Sequence, residues 1–74
     1  MENYLNRGGD SGVAQFEIGD THIIVRFNTG NEYTYSYQSA GSNHIEQMKV
    51  LARTGRGLNS FINKYVKNKY DSKN

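Results

Sequence analysis

The chain has 74 residues with no cysteine, no proline and a formal net charge of +2, so it has neither a disulfide framework nor a thiolate metal site. A chain of this length buries only about 60 per cent of the surface that its unfolded form exposes, which predicts one small domain stabilised by packing or by oligomerisation. No apolar run reaches the roughly 18 residues of a membrane-spanning helix, and no signal peptide is recognisable, so we expect a cytoplasmic protein with no membrane association.

Residues 1–12 are predicted to form a flexible N-terminal arm. The stretch from Asn6 to Gly12 contains three glycines and no large apolar side chain, so burial is not expected to hold it in place. Residues 13–70 are predicted to form the single folded domain, and residues 71–74 are predicted to form a frayed tail.

Three strands are predicted after the arm. Apolar and polar residues alternate in residues 13–18 and 21–27, with the period of two that is typical of a half-buried strand. Gly30 supplies a positive φ for a tight turn that leads into a third strand at residues 32–37. Because short turns join these segments, the sequence predicts a three-stranded antiparallel β-meander.

The apolar spacing becomes helical after residue 42. Apolar residues recur at steps of three and four from Ile45 to Ala52. After a break at residues 54–57, a second series follows the i, i+3, i+4, i+7, i+8 pattern of an amphipathic helix. This second series consists of Leu58, Phe61, Ile62, Tyr65 and Val66. We therefore predict an α+β fold in which two α-helices pack on one face of the meander.

Two short motifs stand in this order of elements. Residues 24–35 have the pattern Ile-Val-Arg-Phe-x-x-Gly-x-x-Tyr-x-Tyr, and residues 52–66 have Ala-x-x-Gly-x-x-Leu-Asn-x-x-Ile-x-x-x-Val. Together they resemble the KTSC domain, a small module found alone and appended to larger proteins, including some lysyl-tRNA synthetases. The family's Val-Pro pair before the first helix is missing here, and Arg53 and Leu58 replace its serine and aromatic residue. The resemblance covers roughly residues 13–70 and implies this fold and a suspected nucleic-acid-binding role, without catalytic residues to transfer.

Charge is distributed unequally along the chain. Residues 1–41 carry two basic and five acidic side chains, a net charge of −3, whereas residues 42–74 carry seven basic and two acidic ones, a net charge of +5. Partners respond to the local field of a surface more than to the total charge. An anionic partner is therefore expected to bind the second half.

Two groups of residues in that half are candidate phosphate-binding sites. At the junction of the two predicted helices, backbone N–H groups, the helix macrodipole and two guanidinium groups can converge on one anion. On the second helix, two lysines share a face that can follow a phosphate backbone. The residues concerned are Arg53, Gly55, Arg56, Gly57, Asn59, Lys64 and Lys67.

Structural alternatives remain open for each group. Gly55 is also the residue expected just beyond a helix C-terminus in the left-handed conformation, and Asn59 is a favoured helix N-cap. Lysines near a helix C-terminus complement the macrodipole without binding anything.

Six tyrosines are a further unusual feature of the composition. Tyr33, Tyr35 and Tyr37 share one face of the third predicted strand, where they can form a stacking platform for bases or, as we expect, pack in the core beneath the helices. The tyrosines outside the sheet are candidates for stacking on a ligand. They are Tyr4, Tyr65 and Tyr70.

These patterns predict a non-enzymatic binding module for a phosphate-bearing ligand, with RNA or single-stranded DNA as the first choice. No catalytic residue, metal or cofactor is expected, since His22 and His44 are far apart and no serine lies in a nucleophile motif. One alternative is a homo-oligomer, of the kind phages and plasmids use, that sequesters a host nucleotide signal. Another is a protein-interaction adaptor whose contact surface is the N-terminal arm and Ile24 on the outer sheet face, which an exposed Ile24 beside Val13 would indicate. In either case we expect a homo-oligomer.

Overall fold

The computed structural model describes residues 1–9 and 12–74, which form an α+β fold with an antiparallel sheet. The strands are β1 (Glu2–Asn3), β2 (Val13–Ile18), β3 (His22–Phe27), β4 (Glu32–Ser36) and β5 (Ser72–Lys73). The α-helices are α1 (Tyr37–Ala40), α2 (Ser42–Thr54) and α3 (Leu58–Phe61). A π-helical turn, π1 (Ile62–Val66), continues α3.

The sheet has the strand order β1-β2-β3-β4-β5, and all neighbours are antiparallel. Its centre, β2 to β4, is the predicted meander. Among the described residues, the prediction of three strands and two helices is corrected to five strands and three α-helices. Short segments near each end of the chain add one edge strand each, and Tyr37–Ala40 forms the additional short helix. Glu2 lies opposite Phe16 at one edge, and Lys73 lies opposite Tyr33 at the other.

The N-terminal segment differs from the flexible arm predicted for residues 1–12. The Tyr4 side chain is only 6% exposed, and its hydroxyl accepts a hydrogen bond of 3.2 Å from the Leu58 N–H. The Arg7 N–H donates to the Gly55 carbonyl at 2.7 Å. The buried Tyr4 ring and hydrogen bonds to residues far along the chain hold this segment in place. The amino-acid composition of residues 1–12 indicates neither of these contacts. Residues 10 and 11 of the predicted arm lie outside the described residues.

The C-terminal segment differs from the frayed tail predicted for residues 71–74. The Asp71 N–H donates to the Thr34 carbonyl at 2.6 Å. Glu32 and Asn74 exchange two backbone hydrogen bonds, of 2.8 and 2.7 Å. The exposed edge of β4 supplies these partners, so a polar tail without apolar residues is still paired.

The core lies between the helices and one face of the sheet. On the sheet side, Ile23, Val25 and Tyr35 are almost fully buried. On the helix side, the buried residues recur every three or four positions, as the sequence predicts. They are Ile45, Met48, Ala52, Leu58, Ile62 and Val66.

A β-bulge changes the outer face of the sheet. The register between β2 and β3 shifts between Val13 and Gln15, so that Val13 lies opposite Phe27 and is 2% exposed, in the core. Ile24, opposite Glu17 in the register, is half-buried. The patch of an exposed Ile24 beside Val13, which would have indicated an adaptor, is therefore not formed.

Tyr37 does not continue the tyrosine stripe of β4. The Ser36 hydroxyl accepts a hydrogen bond from the Ser39 N–H at 3.1 Å, and the Ser39 hydroxyl accepts one from the Ser36 N–H at 3.0 Å. This reciprocal capping box starts α1 at Tyr37. The side chain of Tyr37 is exposed, and its hydroxyl donates to the Glu46 carboxylate, so its predicted place in the core is wrong.

Candidate functional site

The residues of the predicted helix junction are divided between two surface depressions, one lined by Arg53 and one lined together by Arg56, Gly57 and Asn59. Arg53 borders a shallow surface depression near β1 and β2, beside the carboxylates of Glu2 and Glu17. The N-terminal ammonium group of Met1 lies 4.0 Å from the Glu17 carboxylate, so this depression carries charges of both signs and lacks the excess of positive charge that favours an anion. Arg56 lies on a different surface, and Lys67 lies on a third one. The two arginines thus line separate depressions.

Gly55 has a structural role at the end of α2. Its φ is +80°, in the left-handed region, and its N–H donates to the Leu51 carbonyl at 2.9 Å. A Cβ atom at this position would lie 2.7 Å from the Leu5 Cβ atom, so the absence of a side chain allows the N-terminal segment to pack here. The alternative interpretation of Gly55, as a glycine that ends a helix, is confirmed.

A small polar pocket lies where the N-terminal segment meets α3. Its volume is about 140 Å³, and its lining includes Arg56, Gly57, Asn59 and the buried Tyr4. Ligand pockets usually have volumes of about 300–1,000 Å³, so this one is too small for a nucleotide. Gly57, not Asn59, precedes the first residue of α3, which corrects the interpretation of Asn59 as the N-cap.

A larger open cleft of about 390 Å³ lies between the β3–β4 hairpin and π1. One wall comes from the sheet and its hairpin loop, and the other comes from π1 and the turn that follows it. The sheet side contributes Gly12, Phe27, Asn28, Thr29, Asn31, Tyr33 and Tyr35, and the helical side contributes Ile62, Asn63, Lys67, Asn68 and Tyr70. Lys67 and Tyr70 are the predicted site residues that line this cleft.

Three tyrosine rings form the aromatic part of the cleft. The Tyr33 and Tyr70 ring centroids are 5.0 Å apart with an interplanar angle of 80°, and Tyr35 lies 6.3 Å from Tyr33. Burial, with the neighbouring phenols of Tyr33 and Tyr70, raises the pKa of Tyr35 above its ordinary value. Its hydroxyl therefore stays protonated, and able to donate a hydrogen bond, at alkaline pH values where an exposed phenol ionises.

The polar part of the cleft is amide-rich. Asn28 and Asn31 flank the hairpin turn at Gly30, whose φ of +93° confirms the predicted positive φ. Asn63 lies in π1 and Asn68 in the turn after it. Among the lining residues in the described part of the chain, Lys67 carries the only charge. The cleft thus offers aromatic rings, amide donors and acceptors, and one ammonium group.

Helix geometry explains why Asn63 and Lys67 reach the cleft. In the segment formed by α3 and π1, the buried stripe is made by Leu58, Ile62 and Val66. Asn63 comes directly after Ile62, and Lys67 directly after Val66, so both lie on the same side of the buried stripe, the side that faces the cleft. A π-helical turn widens the helix locally, and such turns occur frequently at functional sites.

Tyr65 lies outside the cleft, in a surface cluster with His44 and Phe61. The ring centroids are 4.8 Å apart for Phe61 and Tyr65, and 5.7 Å apart for His44 and Tyr65. The Lys64 ammonium lies 5.3 Å from the centroid of the Tyr65 ring. The three tyrosines predicted to stack on a ligand are therefore separated, with Tyr4 buried, Tyr70 in the cleft and Tyr65 on the surface.

Sequence reasoning missed part of the cleft because it favoured core packing over a stacking role for Tyr33 and Tyr35. Tyr35 is indeed buried and Tyr33 half-buried, yet both also line the open volume. Asn28 and Asn31 were not selected as candidates. Their position was a usable signal, because one asparagine stands on each side of the predicted glycine turn between β3 and β4.

Comparisons with family models, with curated proteins and with solved structures gave no match. The resemblance to the KTSC domain accordingly stays a prediction. Within residues 1–9 and 12–74, no group of three or more His, Asp or Glu side chains is placed to hold a metal ion. No helix among the described residues has the length and apolar character needed to cross a membrane.

Proposed function

We propose that this protein binds a single-stranded nucleic acid without transforming it, and that one nucleotide of the strand occupies the cleft. The observation that carries this proposal is the chemistry of the cleft lining. Aromatic rings, amides and the single cation Lys67 together suit a planar heterocycle that bears a phosphate.

The base is assigned to the aromatic part of the cleft. Tyr33 and Tyr70 meet edge to face, so a base can stack on the Tyr70 ring, which is 37% exposed. The side-chain amides of Asn63 and Asn68 can then donate to, and accept from, the hydrogen-bonding edge of the base. Stacking of this kind tolerates any base, whereas the amides provide selectivity.

The phosphate is assigned to Lys67, and the charge pattern around it favours a strand. The segment from residue 58 to residue 70 contains Lys64, Lys67 and Lys69 and no acidic residue. Several cations without a compensating carboxylate suit a polymer of phosphates better than a single one. The resemblance to the KTSC domain supports the same ligand class.

A free nucleotide is the second candidate ligand. The cleft is concave, lies within the usual volume range for small ligands and contains one ammonium group. If the ligand is a free nucleotide, the protein would act as the homo-oligomer described above that sequesters a host nucleotide signal.

The test is a titration of the protein with labelled RNA and DNA strands of about ten nucleotides and with free mononucleotides. Both titrations are run at about 50 and about 200 mM salt. We expect strands to bind, with an affinity that falls as salt rises. Tyr70→Leu removes one stacking surface and should weaken binding roughly tenfold. Lys67→Gln should weaken binding and also reduce its dependence on salt.

Lys69→Gln is the matched control, because Lys69 lies two residues from Lys67 but does not line the cleft. We expect it to weaken binding less than Lys67→Gln does. Absence of strand binding at low salt would refute the proposal. Tight binding of a mononucleotide with no affinity for strands would instead select the second candidate. Full binding by both Tyr70→Leu and Lys67→Gln would show that the cleft is not the site.

A further inference from the structure

The surface rings of His44, Phe61 and Tyr65, here named the ring cluster, lie outside the cleft. The His44 and Phe61 centroids are 5.8 Å apart and nearly perpendicular, and Tyr65 contacts both rings. Tyr65 is 45% exposed, while His44 and Phe61 are half-buried. The cluster thus exposes the Tyr65 ring to solvent, and this ring packs against the less exposed rings of His44 and Phe61.

A cation accompanies the exposed ring. The Lys64 ammonium lies 5.3 Å from the Tyr65 centroid, and both residues belong to π1. An aromatic ring beside an ammonium group is the combination that binds a base together with its phosphate in proteins that hold single strands. The cluster therefore repeats, in simpler form, the chemistry of the cleft.

The cluster and the cleft lie on opposite flanks of one helical segment. Asn63 and Lys67 face the cleft, whereas Phe61 and Tyr65 contact His44. A helix with its side chains is about 10–12 Å across, so one base cannot occupy both places. A strand can pass from one flank to the other over the solvent side of the helix, where Lys64 is exposed.

We infer that the ring cluster is a second base-binding site for the same strand, in which Tyr65 stacks on a base and Lys64 contacts the adjoining phosphate. This inference rests on the proposed function and makes it more specific, because it requires a ligand of at least two nucleotides. Charge complementarity supports a nucleic-acid strand as the occupant, since no acidic residue stands between residues 58 and 70.

The test compares a strand of about six nucleotides with a mononucleotide on the same protein. Tyr65→Leu should weaken strand binding at least about fivefold and leave mononucleotide binding unchanged, because only the strand reaches the cluster. Tyr70→Leu should weaken both. Lys64→Gln should weaken strand binding and reduce its slope against salt by about one phosphate contact.

Tyr65→Phe is the matched control, since it keeps the ring and should bind the strand as the unaltered protein does. The inference is overturned if Tyr65→Leu binds the strand within about twofold of the unaltered protein while its spectrum shows a folded domain. It is also overturned if Tyr65→Leu changes only the oligomeric state in light scattering, which would make the cluster a protein interface. Equal binding of strand and mononucleotide would refute the second site but not the cleft, whereas no binding of either would refute both.

Discussion

The junction around Gly55 and the cleft beside π1 lie at opposite ends of the segment formed by α3 and π1. They differ in whether their polar groups are paired within the chain. At the junction, polar backbone groups are paired within the chain, with the Gly55 carbonyl bonded to Arg7 and the Leu58 N–H bonded to Tyr4. At the cleft, amides and phenols line an open volume. The N-terminal segment therefore pairs with backbone groups of the junction that an anion would otherwise contact, whereas Arg53 and Arg56 stay exposed.

The largest effect expected from this comparison is that of Gly55→Ala. Alanine at a φ of +80° costs about 1–2 kcal/mol of stability. Its Cβ atom would also lie 2.7 Å from the Leu5 Cβ atom, which adds a steric cost of about 1–3 kcal/mol. We expect the free energy of unfolding to fall by about 2–5 kcal/mol in urea titrations.

Gly57→Ala is the matched control for this prediction. Gly57 has a φ of +84°, but a Cβ atom there would make an ordinary contact of 3.7 Å with Leu51. The loss should therefore be limited to the backbone cost of about 1–2 kcal/mol. If the two variants were equally stable, the N-terminal segment would not pack against Gly55 as described.

The α+β class and the positions of the main strands and helices could be predicted from the sequence. The packing of the N-terminal segment against the junction around Gly55 could not. The alternation in β2 and β3 and the stripe from Leu58 to Val66 each report burial of a local segment. The contact of Tyr4 with Leu58 joins residues 54 positions apart, and nothing local in the glycine-rich segment indicates it. Only the packed structure shows that this segment covers the junction.

The cleft was predictable only in part, for a different physical reason. Lys67 and Tyr70 were selected because they are polar or aromatic residues near a helix end, and both line the cleft. Tyr33 and Tyr35 belong to a stripe that looks like core from its period of two. A tyrosine can pack one side of its ring and still offer its edge or its hydroxyl to an open volume, and hydrophobic periodicity does not distinguish these cases.

The second effect concerns the hydrogen bond that covers the junction. Tyr4→Phe keeps the buried ring but removes the hydroxyl that accepts from the Leu58 N–H. A buried donor without a partner costs about 1–3 kcal/mol, so we expect a loss of stability in the lower part of this range. Urea unfolding measures the loss, and hydrogen exchange at the Leu58 amide should become faster.

Tyr65→Phe provides the comparison, because the same atom is removed from a ring that is 45% exposed. Its stability should change by less than about 0.5 kcal/mol. Slow exchange of the Leu58 amide in Tyr4→Phe would contradict the view that the N-terminal segment closes the junction.

The smallest effect tests the burial of a phenol at the cleft through its dependence on pH. Burial raises the pKa of Tyr35 in the folded protein, whereas the unfolded chain ionises near the ordinary value of about 10. Above that pH the folded state keeps a proton that the unfolded state releases, so the contribution is fully present below about pH 10 and is lost as pH rises further. Urea midpoints measured from about pH 8 to about pH 11 should therefore fall more steeply for the unaltered protein than for Tyr35→Phe. Tyr65→Phe should follow the unaltered protein. Parallel curves for the unaltered protein and Tyr35→Phe would mean that solvent reaches the Tyr35 hydroxyl freely. The phenol at the cleft would then be more accessible to solvent than the Tyr4 phenol buried at the junction.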